Sequence, residues 1–581
     1  MFSKYYQSEL SYLRDLGREF AAANPALAGA FAERGGDPDV ERLLEGFAFL
    51  TARIRERIDD AVPEVVESLC QLLLPQYIRP IPSCSVVQFT PQVNALKGRH
   101  RLKAGTELGS RKVDGTTCLY RTTCPTDLLP LSLLDAKLDQ SVEAFPQITL
   151  SFQASESARN LLFQPEGFRL FLHGPIGLTS NLFLWMNQHL RQVVYKNGDY
   201  EKPLGDRCVS PAGLSDDMPL LPWPENAPQG MRLLQEYFTL PEKLLFLNIG
   251  GLDALADSPG TDRFELVFQF ERPPKLPSRI QRDNFRLHCA PIVNLFDTST
   301  DPISVDPKRH EYLLRAAGVN PMHASIYHVT GLTGLRGNRG GRVNYHPYID
   351  FAHHGRAAAE QEYYSTRRAV SPIDNGLDIY LSVMTPRDVK PQFHEETLSV
   401  DVTATNRLLP AELQVGDIAQ PTPRSPTIAR FQNLSRVTKP THAPVGAELH
   451  WRLLSHLAVN QRSLSDPMIL QAQLSLYNFF EAADKQTGDA NRLRIESVRS
   501  VKMESATRLM NQVPVRGLSS IVELDETSFA SEGDAYLFGC ALDSLFANQA
   551  PINSFHELTV TLHPSGNNIQ WSPKNGQLAI L

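Results

Sequence analysis

The chain has 581 residues, of which 42% are hydrophobic and 21% are charged, and its formal net charge is -7. This length exceeds what one hydrophobic core can serve, so the sequence predicts several domains. The negative net charge disfavours a nucleic-acid-binding protein, because neutralising phosphates requires a concentrated Lys and Arg surface. The sequence instead predicts a multidomain α+β protein, with a helical N-terminal head followed by predominantly β domains with long proline-rich arms.

The seven cysteines and the N-terminal segment indicate a cytoplasmic protein. The cysteine count is odd and no Cys-x-x-Cys pair occurs, which favours reduced, buried thiols over disulfides. The N-terminal segment is charged and amphipathic, so it predicts neither a signal peptide nor a membrane anchor. No apolar run approaches the about 18 residues that a membrane span requires. We therefore expect a cytoplasmic location without direct membrane insertion.

The N-terminal segment predicts a helix rich in aromatic side chains, which ends at Asn24-Pro25. Such a surface at a chain end can dock on the chain's own domain or join a partner's helix bundle. The candidate partner-interface residues are Phe2, Tyr5, Tyr6, Leu10, Tyr12, Leu13 and Phe20.

Residues 40–75 predict two further helices. Asp37 and Pro38 supply an N-cap and a first-turn proline, and Pro63 begins the second helix. The opposite face of the first helix is charged, so we expect its apolar stripe to form the packed core of the head. The stripe consists of Val40, Leu43, Leu44, Phe47, Leu50, Ile54 and Ile58.

After Pro82 the sequence changes to short β-type runs bounded by turn residues. The clearest runs are Ser85–Phe89, Ile148–Phe152, Phe168–Leu172, Phe264–Phe270 and Leu377–Val383. Two proline-rich segments predict an ordered loop or extended arm near 203–230 and a linker near 410–445. The predicted domains are a helical head at 1–80, a β-rich domain at 81–290, a β-rich middle domain at 291–409, the linker or arm at 410–445, and a C-terminal α+β domain at 446–581.

The end of the chain predicts a helix followed by a strand. Tyr536, Phe538, Leu542 and Leu545 follow helical spacing, and a turn at Asn553 leads into a strand over residues 557–562. Core packing accounts for most of these side chains.

Sixteen histidines raise the alternative of a metal-dependent hydrolase built on His323, His328, His353 and His354. His323 and His328 are five residues apart, which misses the spacing of helical zinc ligands, and adjacent histidines diverge on a strand. Buried or surface histidines explain this pattern better. We predict a protein without a metal or cofactor and without catalytic residues.

Residues 331–342 form a glycine-rich loop with Arg336, Arg339 and Arg342. A phosphate cradle would require Gly-Lys-Ser/Thr opening a helix or Gly-x-Gly-x-x-Gly after a strand, and neither occurs. A tight turn is the favoured interpretation, and an anion-binding or partner-binding loop is the alternative.

Residues 40–83 resemble the N-terminal signature of the TssF (ImpG/VasA) family, baseplate subunits of the bacterial type VI secretion system. Further blocks are similar to the family in the same order along the chain. These blocks are Phe285–Phe296, Asn344–His354, Glu362–Arg368, Leu398–Pro410, Trp451–Leu464 and Asp525–Leu558.

The resemblance implies a structural wedge subunit without catalytic turnover. It implies two copies bound to one TssG, with TssK and TssE attached and the VgrG spike hub nearby. It further implies a cytosolic platform at the inner face of the inner membrane, on which the sheath and tube assemble. Such a platform acts by changing contacts between wedges.

Overall fold

The structure is a computed structural model that describes residues 6–7, 10–14, 39, 42–53, 76–92, 96, 98–140, 145–154, 166–224, 229–255, 262–276, 279–306, 308–336, 341–348, 362–371, 376–384, 396–442, 463–510 and 513–577. The chain divides into two units, one of Met1–Leu74 with Pro444–Leu454 and one of Pro75–Ala443 with Ser455–Leu581. The described residues of the first unit are helical, and the second unit is mostly β-sheet.

The elements of the second unit follow in chain order. They begin with β1 (Cys84–Pro91), β2 (His100–Leu102), β3 (Glu107–Val113), β4 (Thr116–Thr122), β5 (Thr126–Leu128), β6 (Leu131–Asp139), β7 (Gln147–Ala154), β8 (Phe168–Leu172), α1 (Ile176–Gln188), β9 (Leu190–Asn197), β10 (Tyr200–Gly205), β11 (Val209–Ser210), α2 (Gln229–Thr239), β12 (Phe246–Ile249), β13 (Arg263–Phe270), β14 (Phe285–Leu287) and β15 (Cys289–Val293). They continue with β16 (Phe296–Ser299), β17 (Ile303–Ser304), β18 (Tyr312–Leu313), β19 (Ser325–Arg336), β20 (Gly341–Pro347), β21 (Glu362–Val370), β22 (Leu377–Met384), β23 (Glu396–Thr405), β24 (Ala429–Asn433), α3 (Pro467–Ser475), α4 (Lys485–Glu496), β25 (Val498–Met510), β26 (Val513–Asp525), α5 (Glu532–Gln549), β27 (Phe555–His563), β28 (Asn568–Gln570) and β29 (Lys574–Asn575). Short 3-10 helices lie at Ala212–Leu214, Pro241–Leu245, Leu252–Leu255, Arg282–Asn284, Leu409–Glu412, Ser463–Ser465 and Glu526–Ser528.

The five runs predicted as strands are confirmed, since they lie within β1, β7, β8, β13 and β22. In β7, Ile148, Leu150 and Phe152 are buried while the residues between them are partly exposed. This alternation is that of a strand with one face on the core. Strand β7 lies in a sheet with the order β10-β9-β13-β7-β6.

The segment at 410–445 is predicted as a linker or arm, but its described residues, 410–442, contribute to a core. Its strand β24 pairs with β1, with Phe431 opposite Phe89, in a sheet of order β24-β1-β15-β4-β3. Leu413 and Ile418 are buried in the same cluster as Val87. The apolar side chains spaced between the prolines therefore decide the packing of this segment.

Residues 296–405 form an eight-stranded sheet of order β16-β23-β19-β20-β21-β22-β18, with β17 also paired to β23. A buried ion cluster lies against it. Both oxygens of Asp378 accept hydrogen bonds from Arg315, at 2.6 and 2.9 Å, and Arg407 Nη2 donates to Asp378 at 3.0 Å. Burial alone would raise the pKa of Asp378, but hydrogen bonds from Arg315 and Ser371 and the charges of both arginines hold it below its usual value.

Helix α5 lies in the centre of the C-terminal part, and the predicted helix and strand there are confirmed as α5 and β27. Ser531 caps its N-terminus by accepting a hydrogen bond from the Asp534 amide. Nearly every residue of α5 is buried, as expected for a helix surrounded on all sides. The helix connects β26 to β27, which run parallel in a sheet of order β25-β26-β27-β28, and it packs on α1 and α2.

Residues 203–224 take the ordered-loop form, one of the two forms that the sequence left open. The loop is attached to α2 by buried charges. Lys243 Nζ donates to the Gly213 carbonyl at 2.7 Å and to Glu236 at 2.5 Å, and Glu236 accepts from the Leu220 amide at 2.7 Å. Arg232, also buried, bonds Glu236 and, from the loop, Asp216.

Replacing Glu236 with Gln should detach this loop. The change leaves Lys243 and Arg232 buried without their shared carboxylate, which should cost about 3–5 kcal/mol. We expect a lower unfolding midpoint in urea and new proteolytic cleavage within residues 203–224. Glu201→Gln, which alters the surface pair with Lys196, should change stability by less than about 1 kcal/mol and expose no site. An uncleaved loop in the Glu236 variant would contradict this role.

Asp378 should make stability depend on acidic pH. Because its pKa is lowered in the folded state, its contribution is present above the unfolded value of about 4 and is lost as pH falls through that region. Asp378→Asn should therefore be much less stable than the parent at pH 7, and the two unfolding midpoints should converge below about pH 5. Parallel midpoints over the whole range would show that this carboxylate is not held ionised. Glu201→Gln is the control.

Candidate interaction surfaces

The helix over residues 42–53 buries small side chains and exposes large ones. Ala48 and Ala52 are fully buried, whereas Leu43, Phe47 and Leu50 are 63%, 60% and 60% exposed. The two sets occupy different faces of one helix, because 43, 47 and 50 follow helical spacing and 48 and 52 follow it on another side. The expectation that these three residues belong to a packed core is therefore wrong for the chain by itself. We call Leu43, Phe47 and Leu50 the head stripe, and apolar rows of this kind mark interaction sites.

The predicted partner-interface residues fall partly outside the description. Phe2, Tyr5 and Phe20 lie outside the described residues. Tyr12 is 60% exposed, while Tyr6, Leu10 and Leu13 are half-buried. Tyr12 is thus the most accessible described member of this set.

The predicted arginine loop does not present a cluster of available cations. Arg336 ends β19 and lies 3.0 Å from Glu362 and 3.4 Å from Glu396. Burial opposes its charge, but the hydrogen bond that Arg336 donates to Glu362 and the charge of Glu396 raise the pKa of Arg336. Arg342 is exposed and donates to Thr333, and Arg339 lies outside the described residues. An anion would have to compete with two carboxylates for Arg336.

The histidines of the hydrolase alternative are not gathered into a site. His323 is half-buried, with Nδ1 2.8 Å from the Thr116 hydroxyl, and His328 is exposed on β19. His353 and His354 lie outside the described residues. Within the described ranges, no group of three or more His, Cys, Asp or Glu side chains is placed to hold a metal ion.

The six described cysteines, and a serine that contacts a histidine, are buried and not activated. The six described cysteines are buried, and burial raises the pKa of Cys208 to about 11 and of Cys540 to about 12. Such thiols are protonated at neutral pH and react slowly. The Ser520 hydroxyl lies 2.9 Å from His556 Nε2, but both residues are buried and burial lowers the pKa of His556 to about 4. This histidine is a poor general base at neutral pH.

A polar cleft of about 740 Å³ lies beside β5 and β8. Among the charged side chains that line it, Arg101 bonds both oxygens of Asp127, and Glu166 lies 3.1 Å from Arg99. The cleft has the size of a small-molecule site. Because guanidinium and carboxylate groups both line the cleft, its lining does not select an ion of either sign.

The hairpin of β25 and β26 is a second exposed surface, and sequence reasoning missed it. The two strands pair from Val498 with Leu524 to Met510 with Val513, but β27 accompanies β26 only from Gly517 onwards. The last four pairs therefore extend past the end of β27, and Leu509 is 77% exposed. The mixed polar and apolar sequence of this hairpin offers little periodicity to detect.

Among the helices that the structure describes, none is long and apolar enough to cross a membrane.

Comparison with known proteins identifies the family. The family model for type VI secretion system TssF matches residues 1–578. The type VI secretion system component TssF1 of Pseudomonas aeruginosa is 26% identical over 618 aligned positions, covering 99% of this chain and 98% of that protein.

Two solved structures are similar over most of the chain. A chain of the TssK-TssF-TssG baseplate subcomplex, determined by cryo-electron microscopy, matches with a TM-score of 0.79 and 32% identity, covering 92% of this chain and 98% of that one. A chain of the type VI secretion baseplate complex matches with a TM-score of 0.60 and 27% identity, covering 99% of each. With a family model that spans nearly the whole sequence, this chain belongs to the TssF family of the type VI secretion system.

Proposed function

We propose that this chain is a structural subunit of a type VI secretion baseplate and acts through assembly rather than catalysis. The observation that carries this proposal is the likeness, over 92% of this chain, to a chain of the TssK-TssF-TssG subcomplex. The likeness extends through both units of the chain, so it concerns the whole protein and not one shared domain. The metal-dependent hydrolase gains no support from the placement of His323 and His328.

The partners follow from the same likeness. We infer a TssG-like and a TssK-like subunit as direct partners, on the cytosolic side of the inner membrane. The family resemblance adds two copies of this chain per TssG, together with TssE and a VgrG spike hub. Sheath and tube would assemble on the resulting platform.

The head stripe is the surface that we assign to the TssG-like partner. Leu43, Phe47 and Leu50 expose large apolar side chains along one helical face, and a helix bundle shared with a partner would bury such a row. Tyr12, in the other described helical part of this unit, adds a further exposed aromatic ring. Burial of a side chain as large as Phe or Leu contributes about 1.5–3 kcal/mol, so three such residues can dominate an interface.

Substituting Phe47 and Leu50 with Asp should abolish co-purification with a co-expressed TssG-like subunit. Charged side chains at these positions cannot be buried in an apolar interface without a large desolvation cost. The matched control is Glu45→Lys with Arg53→Glu, which changes exposed polar positions of the same helix. Circular dichroism of each variant checks folding. Normal co-purification of a folded double variant would show that the head stripe is not part of the TssG interface. That result would not contradict the proposed function.

Co-expression of the unaltered chain with its TssG-like subunit tests the function itself. We expect a stable complex whose native mass corresponds to two copies of this chain and one TssG. A one-to-one mass would correct the stoichiometry. A failure of the two unaltered chains to associate would contradict the proposed function.

A further inference from the structure

Strand β25 is a long sheet edge. Its thirteen residues pair with β26 on one side, and no described strand pairs with the other side. Helix α3 covers its beginning, where Gln471 Nε2 donates to the Val498 carbonyl at 2.9 Å. From Met503 to Met510 the edge passes beyond that contact. Long edges with unpaired backbone groups attract other strands, so proteins usually shorten, twist or cover them.

The register with β26 shows which backbone groups face outward. Leu509 lies opposite Pro514, which has no N–H and so occupies a non-hydrogen-bonded position of the antiparallel ladder. Such positions alternate along a strand, and the only register shift in this ladder lies between Val498 and Ser500. The N–H and C=O groups of Met503, Ser505, Thr507 and Leu509 therefore point away from β26, toward the edge.

The side chains along this edge are complementary to themselves in antiparallel order. If a twofold axis passes beside Ala506, each residue of the edge faces a residue of the second copy with which it can make a favourable contact. The facing pairs are Glu504 with Arg508, Ser505 with Thr507, Met503 with Leu509, and Ala506 with itself. Opposite charges and apolar pairs directly across an antiparallel ladder stabilise it.

We propose that two copies of this chain pair through their β25 edges, antiparallel about Ala506, and join their C-terminal sheets into one continuous sheet. Four residues of each edge, Met503, Ser505, Thr507 and Leu509, then exchange backbone hydrogen bonds with the other copy. Leu509, which is 77% exposed in one chain, acquires an apolar neighbour. The contact uses no residue of the head stripe.

Neighbouring registers are unfavourable, which gives the pairing its specificity. Moving the axis to Ser505 places Arg508 opposite Lys502, a repulsive pair. Moving the axis to Thr507 places Glu504 opposite Met510 and leaves both charges without a counterpart. If the axis instead falls between two residues, each residue whose backbone groups point outward faces a residue whose groups point toward β26. Such an arrangement forms no regular backbone hydrogen bonds between the copies.

Arg508 has a carboxylate partner in its own chain and faces a second carboxylate across the proposed contact. Within its own chain it lies 2.9 Å from Glu557 through Nε, and its side chain is still 57% exposed. Glu504 and Glu557 flank Ser519 in one row of the sheet, because each pairs with that residue. In the paired edges, Arg508 lies opposite Glu504 of the second copy, while its own-chain partner Glu557 lies on the other side, beyond β26.

Disulfide trapping in the full-length chain tests the register. In a non-hydrogen-bonded antiparallel pair the two Cα atoms lie about 4.5 Å apart, within the range that a disulfide spans. Ala506→Cys should form a covalent dimer under mild oxidation, whereas the unaltered chain, with its six described cysteines buried, should not. Leu509→Cys is the control, because it is more exposed but lies about 20 Å from its mate in this register. A rate for Ala506→Cys no higher than that of Leu509→Cys would overturn the proposal.

Charge reversal supplies an independent test in the Ala506→Cys background. Glu504→Arg places two arginines opposite each other and Arg508→Glu places two glutamates opposite each other, so each should slow trapping about tenfold or more. The double reversal restores both opposite-charge pairs between copies and keeps an arginine beside Glu557, so it should restore trapping. A double variant as slow as the single variants would refute the proposal. Because these experiments use this chain alone, their failure would leave the proposed association with TssG intact.

Discussion

The body of this protein depends on the close packing of helix α5. The helix is buried on all sides between the sheet of β25 to β28 and the helices α1 and α2, and two of its glycines permit this. Gly533 lies against the backbone of Ser180 in α1, and Gly539 lies against the ring of Trp571, where any Cβ would overlap its neighbour. At these two positions no side chain separates the helix from its neighbours, so the layers are in direct contact there. The parallel pairing of β26 with β27 follows from it, because α5 is the connection between them.

Buried charges extend this arrangement from α5 to its surroundings. Arg494 of α4 lies 3.1 Å from Asp534 at the start of α5, and its guanidinium stacks over the ring of Tyr237 in α2 at 5.5 Å. The same helix α2 carries Glu236, to which the proline-rich loop is attached. Loop, α2, α4 and α5 are therefore connected through charges that are costly to separate once buried. These connections fix the elements of the second unit relative to one another, which a structural subunit requires.

The sequence indicates six of the described strands and α5, because one-sided burial and all-round burial leave different periodicities. The alternation of Ile148, Leu150 and Phe152 and the helical spacing of Tyr536, Leu542 and Leu545 are of this kind. Sequence-based prediction fails at 410–445. Composition suggests a linker there, but Leu413, Ile418 and Phe431 belong to a core that also includes Val87. It fails again in the head, since periodicity identifies an apolar face without telling whether the chain or a partner covers it. Leu43, Phe47 and Leu50 form the more conspicuous stripe, and yet Ala48 and Ala52 are the buried residues.

The two exposed surfaces differ in the kind of contact that they can make. The head stripe offers apolar area, whose burial is insensitive to salt and tolerant of small rotations, since the hydrophobic effect is not directional. The β25 edge offers backbone hydrogen bonds and the alternating charges of Glu504 and Arg508, which demand one register and weaken as salt screens exposed charges. Apolar contacts of the first kind suit an association that persists, whereas edge contacts of the second kind can separate without exposing a large apolar area. In the assembly that we propose, this chain carries the two kinds of contact on separate surfaces.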